Sequence, residues 1–81
     1  MRYAMEYDEM KIDEAVLALL YLNSFDEGGI TRAWKSFPWD SMDRLYEKGY
    51  VTDPKSKAKS VIMTEGGKEV AEKMFAKNFG R

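Results

Sequence analysis

Apolar positions along the chain fall into three helical registers and two or three short alternating runs. Ile12, Val16, Leu19, Leu20 and Asn23 trace one stripe of a helix expected from Glu9 to Asn23. Asp8 is placed to cap it, and Glu9 complements the dipole of the first turn. Ala15, Leu17, Ala18, Tyr21 and Leu22 carry apolar character around most of the same cylinder. Such a helix is expected to bury more than one side, its second side against the C-terminal helix or another chain. Further on, Trp39, Met42, Leu45 and Tyr46 share a helical face, opposite Asp40, Ser41, Asp43, Arg44, Glu47 and Lys48. Pro38 suits the first turn, with Ser36 or Phe37 as cap. Gly49 supplies the left-handed residue that stops the helix, which places Tyr50 over Leu45.

After that stop, Tyr50 to Thr52 and Ser60 to Met63 read as the two strands of a hairpin. Asp53-Pro54 opens its long polar tip. Thr64 caps a last helix from about Glu65 to Asn78, whose core stripe is Val70, Ala71, Met74, Phe75 and Asn78. Gly66 and Gly67 weaken its first turn by about 1 kcal/mol each relative to alanine, which a close approach of the preceding strand would explain. Between the first two helices, Asp26-Glu27-Gly28-Gly29 predicts a turn. Ile30 to Trp34 fits either a third strand or a helical turn. Residues 1–7 lack periodicity and read as a flexible extension.

With 81 residues, the chain is expected to form one α+β domain with a thin core. No cysteine is present, so neither a disulfide nor a thiolate metal site reinforces it, and self-association is the remaining common staple. Histidine is absent too, which removes the usual general base and metal ligand. No apolar run reaches the roughly 18 residues of a membrane helix, and the N-terminus lacks the apolar centre of a signal peptide; a cytoplasmic protein is expected. The net charge of −1 conceals a polarity. Residues 1–27 hold seven acids against two bases, and residues 28–81 hold eleven bases against seven acids.

The runs YEKGYVTDP and KSVIMTEGG resemble bacterial winged-helix regulators of the PadR and antibiotic-resistance-regulator kind, over about Pro38 to Phe79. The resemblance implies a recognition helix ending at Gly49 and a wing running into Thr64-Glu65-Gly66-Gly67. Its fold would be a small winged-helix-like domain of about three helices and a two- or three-stranded antiparallel wing. Over the whole chain from Met5, the order MEYDE, AVLALLYL, RAWKSFPWD, DRLYEKGYVTDP, KAKSVIMTE is similar to an uncharacterised family of short bacterial single-domain proteins. That family implies no activity. The regulators carry a separate helix before the recognition helix, and Phe25 to Phe37 leaves room for a single turn at most.

The exposed face of the would-be recognition helix sets Asp40, Asp43 and Glu47 against Arg44 and Lys48, a poor match to phosphate. Arg32, Lys35, Arg44, Lys48, Lys55, Lys57 and Lys59 are the candidate nucleic-acid contacts; the lysines serve equally to keep an exposed hairpin soluble. Trp34, Phe37 and Trp39 could form a platform for bases or a peptide, or fill the core. Enzyme chemistry, a cofactor and a metal are not expected. The sequence therefore predicts a non-enzymatic module that binds an unidentified protein partner. It is also expected to be a homodimer through Leu17, Tyr21, Met74, Phe75 and Phe79. A small DNA-binding regulator is the alternative.

Overall fold

A computed structural model describes residues 5–81. Asp8 accepts a hydrogen bond from the Met10 N–H and starts α1 (Glu9–Leu22). The chain then makes β1 (Phe25–Glu27) and β2 (Ile30–Trp34), joined by Gly28 and Gly29, both at positive φ. Two consecutive residues at positive φ are what a two-residue hairpin turn of the primed type needs. α2 (Trp39–Glu47), β3 (Ser60–Ile62) and α3 (Glu65–Phe79) complete the order. The three strands form one antiparallel sheet, β1-β2-β3, with Phe25 opposite Arg32 and Arg32 opposite Ile62. The architecture is α+β, three helices and a three-stranded antiparallel sheet.

Ile30 to Trp34 is thus a strand and not a helical turn. Its partner β1 was unforeseen: Phe25-Asp26-Glu27 has little strand propensity beyond Phe25, and the glycine turn decides the pairing. Between α1 and α2 the chain forms this hairpin and no helix. The strand expected over Tyr50 to Thr52 shrinks to one bridge, Val51 to Met63, beside a Thr52 N–H to Ile62 carbonyl bond of 2.9 Å. The expected extension over residues 1–7 falls partly on residues 1–4, outside the described residues; Met5 to Tyr7 are exposed and outside any element.

The glycine stop has the predicted form. Gly49 sits at φ +78°, its N–H bonds the Tyr46 carbonyl and the Tyr50 N–H bonds that of Leu45, a Schellman closure. It turns the chain so that Leu45, Val51 and Met63 meet in the core with Val16, Leu17, Leu20, Ala33, Met42, Val61 and Ala71. Pro38 itself occupies the cap position of α2, without a side-chain cap bond. The predicted helical stripes hold in part: Val16, Leu20, Met42, Leu45 and Ala71 are buried and Val70, Met74 and Phe75 half-buried as expected, while other members differ. α1 buries Asp13, Val16, Leu17, Ala18 and Leu20, while Ile12 and Asn23 are exposed. α2 buries Ser41, Met42 and Leu45 and leaves Trp39 (59 % exposed) and Tyr46 outside. In α3, Asn78 is exposed and Ala71 carries the burial.

Thr64 caps α3 by accepting from the Gly67 N–H, and its hydroxyl also donates to the Gly49 carbonyl. The Thr64 N–H bonds the Tyr50 carbonyl, which brings the segment after α2 against the first turn of α3. A Cβ at Gly67 would collide with the Tyr50 carbonyl, whereas one at Gly66 meets open space. The close approach expected at this pair is therefore confined to Gly67, and the backbone that causes it is Tyr50, not the preceding strand. Gly67→Ala should lower unfolding stability by about 2–3 kcal/mol through that clash. Gly66→Ala should raise it by roughly 0.5–1 kcal/mol. Urea denaturation of the two variants side by side reads both signs.

Candidate functional site

Three of the candidate cations are occupied within the chain. Asp13 lies on the buried face of α1, 3 % exposed, where a lone carboxylate would be costly. Arg44 of α2 answers it with a fork. Its Nε donates to Asp13 Oδ2 at 2.6 Å and its NH2 to Oδ1 at 2.9 Å, with Ser41 Oγ and Glu9 Oε2 each at 3.5 Å. The hydrogen bond to Asp13 outweighs burial and, with the charges of Asp13, Glu9 and Asp40, raises the pKa of Arg44. Arg44 therefore fastens α2 to α1 and is not presented to a nucleic acid. Lys35 is engaged as well: its Nζ donates to the Pro54 and Ser56 carbonyls, both at 2.6 Å, pinning the loop after Val51. Arg32 Nε lies 3.3 Å from Glu27 Oε1, an ion pair that makes no hydrogen bond, and its NH1 reaches Ser60 Oγ at 3.5 Å. Lys48, Lys55, Lys57 and Lys59 are exposed, the last three on the pinned loop.

The expected dimer face divides likewise. Leu17 is 2 % exposed, in the core of its own chain, and cannot meet a second copy. The reason is that α3 of the same chain, one of the two partners expected for the second side of α1, covers it together with α2. Tyr21, Phe75 and Phe79 form an aromatic ladder with ring centroids 5.6 and 5.7 Å apart, of which Phe79 is the exposed end. Met74 is half-buried.

The sheet presents a different surface. Thr31, Ala33, Val61 and Met63 point into the helices and are buried. On the other face the register places Phe25, Arg32 and Ile62 in one row, with Ile30 and Trp34 flanking Arg32 along β2. Trp34 is 51 % exposed and Ile30 41 %. The Phe25 and Trp34 rings lie 5.3 Å apart, tilted by 37°. An open sheet face ordinarily carries polar residues; this one carries two aromatics and two isoleucines around Arg32, with Glu27 opposite Ile30 and Ser60 opposite Trp34. Of the three tryptophan-region aromatics singled out in the sequence, Phe37 packs on the core, Trp39 stands alone on α2, and Trp34 joins this face. The signal that could have found it is the alternation of Ile30, Arg32 and Trp34, legible once Ile30 to Trp34 is taken as a strand.

The two ends of the face differ in charge. At the Ile30 end, an open groove of about 450 Å³ lies between the end of the sheet and α3; Ile30 and Ile62 line it together with the inward Thr31 and Met63, and α3 adds Glu65, Glu69, Glu72 and Lys68. At the Trp34 end, the Lys35 N–H bonds the Lys59 carbonyl, so the loop bearing Lys55, Lys57 and Lys59 lies beside Trp34. Among the described residues, no group of three or more His, Cys, Asp or Glu is placed to hold a metal ion, and no helix is long and apolar enough to cross a membrane.

Residues 8–81 match a family described as a domain of unknown function (DUF6429). The chain is also similar to the uncharacterized protein y4hR of the bacterium Sinorhizobium fredii, 47 % identical over 77 residues that span 95 % of this chain and all of that protein. No solved structure matches it.

The fork between Asp13 and Arg44 generates a double-mutant test. Arg44→Met should cost about 3 kcal/mol by stranding the buried carboxylate. Asp13→Leu combined with Arg44→Met should recover most of it, leaving a coupling of roughly 2 kcal/mol in urea melts. Because the Arg44 pKa is raised, its contribution is present at all lower pH and is lost only as pH climbs through the folded-state value. The coupling should accordingly be the same at about pH 7 and pH 10.

Proposed function

The chain belongs to the DUF6429 family, whose description carries no activity, and we propose that it is a non-enzymatic interaction module of the bacterial cytoplasm that works through the outer face of its sheet. The observation that carries this reading is the half-exposed Trp34, stacked on Phe25 and set beside Ile30, Arg32 and Ile62, on a face that no helix of the chain covers. Tryptophan and arginine are the residue types that most often dominate the energy of protein contacts, and a contiguous exposed apolar patch marks such a contact. Support for a non-enzymatic role comes from the whole sequence, which has no histidine or cysteine to act as base, nucleophile or soft ligand. The absence of cysteine also suits a reducing compartment.

The nucleic-acid alternative retains few of its contacts. Arg44, Lys35 and Arg32 have partners in their own chain, while Asp40, Asp43 and Glu47 share α2 with Lys48. The three loop lysines alone would give a weak, salt-sensitive attachment.

A photo-crosslinking amino acid placed at position 34 should give protein adducts, a second copy of the chain included, in native lysate. The same group at the exposed Met10 of α1 should give few. Equal yields at the two positions, or none at position 34, would overturn the assignment of the surface. Titration of random-sequence duplex DNA at low salt should show no saturable binding; a steep salt-dependent isotherm abolished by Lys55→Glu, Lys57→Glu and Lys59→Glu would favour the regulator instead.

A further inference from the structure

We infer that the occupant of the open sheet face is a second copy of this chain, stacked face to face about a two-fold axis near Arg32. This inference rests on the reading of that face as an interaction surface and adds the identity of the partner. The argument is the charge at its two ends. The carboxylates of Glu65, Glu69 and Glu72 lie at the Ile30 end, and the ammonium groups of Lys55, Lys57 and Lys59 at the Trp34 end. A two-fold axis perpendicular to β2 reverses the strand direction of the second copy. It therefore sets each acidic end over the other copy's basic end, twice per dimer, and each Ile30 near the other's Trp34. An isologous contact requires this kind of self-complementarity. At the centre, Arg32 comes with its own counter-charge, Glu27, at 3.3 Å, so two copies can approach there without an unbalanced pair of cations.

The rival apolar patch, Tyr21, Phe75 and Phe79, has Lys68 and Asp26 together beside Tyr21 and Phe75, not one sign at each end, and Lys77 is paired with Glu14 at 3.5 Å within the chain. Sheet faces stack about 10 Å apart, close enough for facing side chains to interdigitate.

Size sets the strength. Three strands of at most five residues offer a flat patch of roughly 250 Å², well below the ~800 Å² per partner of a standard interface. The lysine loop and the acidic turns of α3 must contribute the rest, so the dimer is weak and salt-dependent, with a dissociation constant in the range of tens to hundreds of micromolar.

The test exchanges the charges. Lys57→Glu with Lys59→Glu makes both ends acidic, and Glu69→Lys with Glu72→Lys makes both ends basic; all four residues are exposed, and circular dichroism checks that each variant keeps its helices. In sedimentation equilibrium the wild type should associate, several-fold more weakly at about 300 mM than at about 50 mM salt. Each variant alone should remain monomeric. An equimolar mixture of the two should associate again, because both charge contacts are restored only in the mixed pair. A wild type that stays monomeric up to about 1 mM, or a mixture that fails to associate, would overturn the second-copy assignment. Adducts at position 34 with a different protein, alongside a monomeric wild type, would leave the surface assignment standing and remove only this one.

Discussion

A three-stranded sheet in a chain of this length has two faces, and the three helices bury one of them. α1 runs across the inner face, α2 and α3 close on α1, and the core made by Leu17, Leu20, Met42, Leu45 and Val61 lies between the helices and the strands. Among the described residues, the three helices gather on the inner side of the sheet. That constraint determines what the molecule presents to its surroundings: an arginine framed by two aromatics and two isoleucines, between an acidic end and a basic one.

Two devices hold the one-sided arrangement. The Asp13–Arg44 fork fixes the angle between α1 and α2 by a bidentate contact that a rotation of either helix would break. The Tyr50 carbonyl lies against Gly67 and accepts from the Thr64 N–H, so the end of α2 and the start of α3 are locked to the same short segment. Their effect on function is indirect. Arg44 is drawn inward to Asp13 and Lys35 is engaged with the loop carbonyls, so neither is free for an outside partner.

The parts of this fold that depend on neighbouring residues were legible in the sequence. Asp8 and Thr64 as caps, Gly49 as the stop, and the meeting of Leu45, Val51 and Met63 all follow from local rules, and all are present. What was not legible depends on distant partners. α1 is apolar nearly all round, so its phase could not be chosen from periodicity, and a buried aspartate on its inner stripe makes sense only with an arginine 31 residues away. Trp39 and Tyr46 stand outside on the same helix that carries Arg44. Leu17 looked available because the coverage that α2 and α3 give α1 cannot be seen from α1 alone. The open face escaped notice for a simpler reason: Phe25-Asp26-Glu27 has no strand signature, and Ile30 to Trp34 fitted a third strand and a helical turn alike.

The central claim is that two copies of this chain meet over the outer face of the sheet. A dilution series of amide and indole N–H spectra of the isotopically labelled protein addresses it residue by residue. The account predicts concentration-dependent shifts at Ile30, Arg32, Ile62 and the Trp34 indole, with smaller ones along residues 55–59 and 65–72, and none at Trp39 or Phe79. Shifts centred on Tyr21, Phe75 and Phe79, or a spectrum unchanged over the whole series, would contradict it.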